Sequence, residues 1–246
     1  IAAQHAIGKT PTTAAPADNA LAWLDPATAT NPRRSRQLLS AASLIVTAYL
    51  TGMRADEVLA LRRGCCTPAA PGGFTIHGRT FKSAVVNGRA VAEGLEREHP
   101  WVAIKLVADA IATMENLHDS SLIFPASLFR RTRQTPVNDT PPASNARGVA
   151  IEALIGWANA RAIQLGRDHE AIPEDPDGAV SLRRLRRTLA WFIYRRPRGR
   201  VALGIQYGHL HAATTDGYGS RTSVGLRDLF PMEEALALSD TLAQAA

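Results

Sequence analysis

The chain has 246 residues, enough for one large domain with its own core, and its hydrophobic fraction of 46% excludes wholesale disorder. Lysine and arginine number 28 against 22 aspartate and glutamate residues, and the resulting net charge of +6 favours an anionic partner, above all nucleic acid. No apolar run reaches the roughly 18 residues that a membrane-spanning helix needs.

The first 30 residues are rich in alanine, threonine and proline, which is typical of a linker or a disordered segment. Asn31 and Pro32 then predict the start of a helix that continues to Leu50, and residues 53–63 predict a second, shorter helix. The chain does not begin with Met, so we expect that a further domain precedes it in the parent protein.

The two cysteines, Cys65 and Cys66, are adjacent, a spacing that rarely forms a disulfide because the geometry is strained. They have no CxxC partners and no nearby histidine. We therefore predict no metal site, and we expect a reducing compartment, the cytoplasm.

Residues 67–75 contain several prolines and glycines and are predicted to break the helical pattern. From Phe74 to Val91 the sequence alternates, with turn signals at His77-Gly78 and Asn87-Gly88. This pattern predicts a small antiparallel meander that carries Lys82 between its two turns.

Helical periodicity predicts the rest of the chain, with loops at 130–144 and 166–180. A helix from Trp101 to about His118 is expected to bury Val102, Ile104, Leu106, Val107, Ile111 and Met114. A short buried segment, 122–124, follows it. The later predicted helices span Asn145–Leu165, an arginine-rich segment after the N-cap Ser181, 199–208, 211–217 and 231–243. The predicted fold class is therefore mainly α with a small antiparallel β-sheet (α+β), in one domain over residues 31–246.

The arginine-rich helix has leucines at three- to four-residue spacing, with Phe192 and Ile193 continuing the stripe that should face the core. Arg183 and Arg186 are three residues apart and should project together from the border of that stripe, where an anion such as phosphate would compensate their charge. Arg184 and Arg187 should face solvent. The alternative interpretation is a solvated basic face with no ligand.

Three further positions have chemistry that suits a phosphate, each with a simpler alternative. His209 follows a glycine at a predicted helix start, although with His211 it could also suggest a metal pair. Tyr218 lies between glycines and could be a nucleophile or a surface tyrosine. Arg54 lies three residues before Glu57, which could orient it toward a phosphate or form a surface ion pair.

Together these residues resemble the tyrosine recombinase (phage integrase) family over roughly residues 33 to 243. TGMRADEVLALR resembles the family's first motif, RRLR its second, and GH followed nine residues later by Tyr its last. The resemblance implies catalytic roles for Arg54, Lys82, Arg183, Arg186, His209 and Tyr218, a supporting role for Glu57, and DNA contacts for Arg184 and Arg187.

The same resemblance implies a site-specific recombinase that breaks and rejoins DNA through a 3′-phosphotyrosine, without a metal or cofactor. It also implies a homotetramer on paired double-stranded DNA sites, a monomer without DNA, and a bacterial, nucleoid-associated location. The helix at 231–243 would dock on a neighbouring subunit or pack on its own domain, and an N-terminal DNA-clamp domain would precede residue 1.

One position departs from the family pattern. Arg183 stands where the family usually has a histidine that helps to take the proton from tyrosine, and an arginine stays protonated. The RRLRRTLAW segment is similar to that of actinobacterial members. Two alternatives therefore remain: a type IB topoisomerase-like nicking and rejoining enzyme, and a catalytically inactive DNA-binding relative.

Overall fold

A computed structural model describes residues 31–70, 72–82, 84–129 and 139–208. Six α-helices and seven short strands lie in these ranges, so the fold is mainly α with small antiparallel sheets, as predicted. The helices are α1 Pro32–Thr51, α2 Ala55–Leu59, α3 Lys105–Leu117, α4 Ser144–Gln164, α5 Leu182–Tyr194 and α6 Gly199–Tyr207. The strands are β1 Cys66–Ala69, β2 Gly73–Ile76, β3 Arg79–Thr80, β4 Val85–Val86, β5 Arg89–Ala90, β6 Leu95–Glu96 and β7 Trp101–Ala103.

Helix α1 is the centre of the fold, packing against α3, α4 and α5. It begins where predicted, because the Asn31 side chain accepts a hydrogen bond from the Arg34 amide and a proline occupies the first turn. Its buried face includes Ala41, Leu44 and Ala48, which contribute to one core shared with α2, α3 and α4. Among the helices in the described ranges, none combines the length and apolar character that crossing a membrane requires.

The Asn87-Gly88 turn is confirmed. Val86 pairs with Arg89, and both turn residues have positive φ, 51° and 76°, as a type I′ turn requires. The predicted hairpin at His77-Gly78 is wrong, since β3 pairs with β6 rather than with β2. Lys82 lies in the chain between β3 and β4.

A three-stranded sheet has the order β1-β2-β7. Two of its strands, β1 and β7, were not predicted from the sequence. Strand β1 occupies part of the predicted break at 67–75, because Pro68 lies on an edge strand where its missing N–H is tolerated. Trp101–Ala103 forms a strand rather than the first turn of a helix, since it pairs with β2. Consequently Trp101 is buried, whereas Val102, Ile104 and Leu106, which were predicted to be buried, are exposed.

The other helices agree with their predictions, with small differences at their ends. Helix α2 is shorter than expected, and α4 begins and ends within one residue of its predicted limits. Residues 122–124 are buried as predicted. Ser181 occupies the N-cap position of α5 without forming a side-chain capping bond, and Phe192 is half exposed rather than buried, because Ala190 holds the most buried position in that part of the helix.

Candidate functional site

Arg54 and Glu57 form an ion pair at the start of α2. The Glu57 carboxylate accepts one hydrogen bond from the Arg54 backbone amide and one from Arg54 Nη1, both at 2.6 Å. A third, longer bond comes from the Thr80 hydroxyl at 3.4 Å. Glu57 is only 1% exposed while Arg54 is 22% exposed, so a buried carboxylate fixes a guanidinium that still reaches solvent. A glutamate at the third helical position can reach back to the N-cap amide, which explains why this short segment holds the pair.

Arg186 is buried on α5, and its surroundings bring three helices together. Its Nη1 donates to the carbonyl of Gly52, 134 residues earlier, at the end of α1. Its guanidinium lies 3.8 Å from the centre of the Tyr207 ring on α6, and the Tyr207 hydroxyl donates to the Arg186 carbonyl at 2.7 Å. Arg186 therefore occupies the junction of α1, α5 and α6. Its partner Gly52 is only two residues before Arg54 in the sequence.

Gly52 has two reasons to be glycine at this junction. Its φ of +66° ends α1 in the left-handed conformation, and a Cβ atom there would lie 2.3 Å from Cε1 of Tyr207. The close approach of α1 and the Tyr207 ring therefore places the end of α1, two residues before Arg54, against Arg186.

Arg97, between β6 and β7, belongs to the same electrostatic environment as Arg54, Glu57 and Arg186, although no sequence motif singles it out. It donates to the carbonyls of Gln206 at 3.0 Å and Ile205 at 2.6 Å, and its guanidinium lies 4.2 Å from the Trp101 ring centre. Burial lowers its pKa to about 10, with the Glu57 carboxylate opposing this shift and the charges of Arg186 and Arg54 adding to it. In the sequence, the nearest feature that could have drawn attention to Arg97 is Trp101 four residues later, and that spacing alone does not predict a functional arginine.

The Gln206 side chain attaches the C-terminal end of helix α6 to α1 and β7. The side-chain amide donates to the carbonyls of Thr51 and Val102, at 2.9 and 3.0 Å, and accepts from the Val102 amide at 3.1 Å. Gly208 then caps the helix with φ +63°. The chain therefore leaves α6 at a fixed place beside α1 and β7.

The cluster formed by Arg54, Glu57, Arg97 and Arg186 carries three guanidinium groups and one carboxylate. Guanidinium groups bind phosphate through charge-assisted and often bidentate hydrogen bonds, so surplus positive charge here suits an anionic oxygen ligand. Within the described ranges, no three His, Cys, Asp or Glu side chains group together in a way that would hold a metal ion.

Of the remaining predicted residues, some are exposed and others lie outside the described ranges. Lys82 is exposed, and so are Arg183 and Arg187 on α5, which corrects the expectation that Arg183 would share the position of Arg186. The buried residues of α5 recur every four positions, at Leu182, Arg186 and Ala190, and Arg183 lies beside this stripe on its exposed side. His209 and Tyr218 lie outside the described residues, as do the predicted helices at 211–217 and 231–243.

The Arg184 side chain is 32% exposed, in keeping with the expectation that it faces solvent, and its guanidinium donates to the Asp175 carboxylate and to the Gly178 carbonyl. The pKa of Asp175 is lowered, chiefly by the hydrogen bond from Arg184. The acidic loop before α5 therefore occupies this arginine within the chain.

No protein-family model matches the chain, and no curated protein matches it. Solved structures that are similar in fold include the XerH site-specific recombinase bound to palindromic difH substrate, in a post-cleavage complex, with 16% identity and a TM-score of 0.49 over 85% of this chain and 52% of that one. The pre-cleavage complex of XerH with difH gives 16% identity and a TM-score of 0.46 over 76% of this chain and 48% of that one. The Tn1549 transposon integrase (residues 82–397) with circular intermediate DNA gives 15% and 0.43 over 81% and 61%. The chain thus spans about half the length of the XerH chains.

Proposed function

We propose that the protein is a DNA strand transferase of the tyrosine recombinase type, which breaks and rejoins duplex DNA through a 3′-phosphotyrosine. What supports this most is the convergence of Arg54 and Arg186. The Arg186 guanidinium reaches the carbonyl of Gly52, 134 positions earlier in the chain, and Glu57 pairs with Arg54 in the same cluster. The sequence motifs predict that Arg54 and Arg186 bind the same phosphate, which requires these two distant parts of the chain to lie close together.

In the proposed reaction, the Tyr218 oxygen attacks the scissile phosphorus, and a phosphorus–oxygen bond to tyrosine forms as the bond to the 5′ oxygen breaks. Arg54, Arg186 and His209, with Arg183, stabilise the charge on the non-bridging oxygens. Lys82 gives its proton to the leaving 5′ oxygen. Arg183 stays protonated, so another group or water takes the phenolic proton.

The energy of the broken phosphodiester is kept in the phosphotyrosine bond, so rejoining needs no nucleotide cofactor. Double-stranded DNA is the proposed partner, and a homotetramer on two paired sites is the proposed assembly. The net charge of +6 and the exposed Arg183 and Arg187 support a polyanionic partner.

The test is covalent trapping with the full-length protein on nicked suicide duplexes, tiled across the DNA that flanks its gene. A nick near the cleavage site releases a short strand after attack, so the protein stays attached and is detected as a slower band on a denaturing gel. We expect an adduct with the wild-type protein and none with Tyr218→Phe. Tight, sequence-specific binding to a duplex without any adduct would contradict the proposal and favour an inactive DNA-binding relative.

Strand exchange between two duplexes then separates a recombinase from a topoisomerase-like enzyme. The expected product joins labelled DNA from one duplex to the other. Relaxation of supercoiled plasmid with no exchanged product would support the topoisomerase alternative instead.

A further inference from the structure

Arg97 connects the loop before β7 to the last turn of α6, a contact that the proposed chemistry does not use. Its two hydrogen bonds go to the carbonyls of Ile205 and Gln206, which are among the last four of the helix and lack a full set of donors within it; the Ile205 carbonyl also accepts from the Gly208 amide at 3.2 Å. The planar guanidinium suits this arrangement because two N–H groups of one fork can reach neighbouring carbonyls.

Three other contacts involve Arg97, two through its side chain and one through its backbone. Its guanidinium stacks over the Trp101 ring, which is itself 1% exposed. Its backbone amide donates to the Gly78 carbonyl at 2.9 Å. A Cβ atom on Gly208 would lie 3.5 Å from Arg97 Nη2, so the guanidinium also lies against the residue that ends α6. Trp101 and Gly78 therefore fix Arg97 in the position from which its guanidinium binds the end of α6.

The position of this contact connects it to the candidate site. Gly208 immediately precedes His209 in the sequence, and Tyr207 on the same turn lies under the Arg186 guanidinium. Any shift of the last turn of α6 therefore moves the Tyr207 ring that supports Arg186. The charge of Arg97 also acts on the same cluster, since Arg54, Glu57 and Arg186 all contribute to its electrostatic environment.

We propose that Arg97 is a positioning residue for strand cleavage, which fixes the last turn of α6 against β7 and thereby holds the Tyr207 ring beneath the Arg186 guanidinium. This inference rests on the proposed function. It predicts a defect in the chemical step rather than in DNA binding, because misplacement of reacting groups by about 1 Å can cost about 10²-fold in rate.

Arg63 provides a matched control. It also donates to two backbone carbonyls near a helix C-terminus, those of Ser120 at 2.9 Å and Glu115 at 2.6 Å, but the helix is α3. Arg63→Ala removes the same type of contact from a helix end that does not precede the candidate site.

The experiment compares the full-length wild-type protein with Arg97→Ala, Arg97→Lys and Arg63→Ala on the nicked suicide duplex. Three quantities are measured: the dissociation constant for the duplex, the single-turnover cleavage rate at saturating DNA, and hydrogen exchange of the amides in residues 203–208. For Arg97→Ala we expect a rate lowered by about 10²-fold, a dissociation constant within about threefold of wild type, and faster exchange at 203–208. Arg97→Lys keeps the charge and one donor group, so it should fall between wild type and Arg97→Ala, and Arg63→Ala should cleave at the wild-type rate.

A wild-type cleavage rate in Arg97→Ala would overturn the inference, as would a loss confined to DNA affinity, which would indicate a direct DNA contact. If Arg97→Ala does not fold, Arg97→Lys decides: slower cleavage with faster exchange supports the positioning role, and a wild-type rate overturns it. If the wild-type protein itself forms no adduct on a duplex that it binds, the proposed function fails and the positioning role in cleavage fails with it. If wild type and Arg97→Ala cleave equally, only the role of Arg97 fails.

Discussion

The Tyr207 ring lies 3.8 Å below the Arg186 guanidinium, and the Tyr207 hydroxyl donates to the Arg186 backbone carbonyl at 2.7 Å. One tyrosine thus contacts both the charged group and the main chain of the same arginine. Cation–π contact stabilises a desolvated guanidinium, and Tyr207 is itself 2% exposed. Arg186 is therefore fixed by the neighbouring helix before any ligand arrives.

Tyr207→Phe keeps the ring under Arg186 and removes only the hydroxyl. We expect the free energy of unfolding to fall by about 1 kcal/mol, the usual net value of one buried hydrogen bond. Urea denaturation measures this. Tyr49→Phe is the control, because no hydrogen bond to the Tyr49 hydroxyl occurs within the described residues, and an equal loss in both variants would contradict the role of the Tyr207 hydroxyl.

Gly52→Ala tests the close approach of α1 and α6. The added Cβ would meet Cε1 of Tyr207 at 2.3 Å on a backbone with φ +66°, so we expect a loss of about 2–5 kcal/mol from strain and displacement of the ring. Gly64 has φ +75° with no atom within 4 Å of a built Cβ, and Gly64→Ala should therefore cost only the backbone strain, about 1–2 kcal/mol. Equal losses in thermal or urea unfolding would show that the Tyr207 contact is unimportant.

Glu57→Gln removes the buried charge that holds Arg54 while keeping the side-chain shape. We expect a stability loss of about 2–3 kcal/mol, since the remaining amide cannot satisfy the guanidinium as a carboxylate does. Cleavage of the suicide duplex should slow as well, because Arg54 loses its fixed orientation. Asp109→Asn breaks the exposed pair with Lys105 and should change stability by less than about 0.5 kcal/mol. A Glu57→Gln protein as stable and active as the Asp109→Asn control would contradict this account.

Arg187 and Arg184 separate a DNA contact from an internal one. Arg187 is exposed, so Arg187→Ala should weaken DNA binding and reduce the slope of log affinity against log salt by about 1. Arg184→Ala should leave that slope unchanged, because its guanidinium already binds Asp175. Equilibrium titrations at several salt concentrations measure both slopes, and equal reductions in the two variants would contradict the assignment.

The Asp175–Arg184 bond also has a defined pH dependence. Arg184 lowers the folded-state pKa of Asp175 below its ordinary value, so the bond contributes stability above that ordinary value and loses it as pH falls toward the lowered pKa. The stability difference between wild type and Arg184→Ala should accordingly be present at neutral pH and shrink in acid. A difference that stays constant with pH would exclude this carboxylate as the cause.

Local signals predicted much of the helical scaffold and one turn. Asn31, Pro32 and Gly52 bound α1 through capping and backbone conformation, which depend on a few adjacent residues. Asn87-Gly88 forms its turn for the same reason. Trp101–Ala103 was assigned to a helix because its strand state comes from pairing with β2, a contact between segments that periodicity cannot detect.

The candidate site divides in the same way. Arg54 and Glu57 were paired from their spacing alone, since three residues at a helix start place them side by side. Arg97 could not be found, because its partners Ile205 and Gln206 are 108 and 109 positions away. The exposure of Arg183 also follows from tertiary packing, which selects Arg186 for burial among four neighbouring arginines.

The central claim is that Tyr218 forms a bond to a 3′ phosphate beside the Arg54–Arg186 cluster. Digestion of the trapped adduct and mass spectrometry of the peptides test it most directly. We expect one modified peptide, with the nucleotide on Tyr218 joined through the 3′ phosphate and a free 5′ hydroxyl on the other strand end. An adduct on a different residue, or a linkage through a 5′ phosphate, would contradict the account.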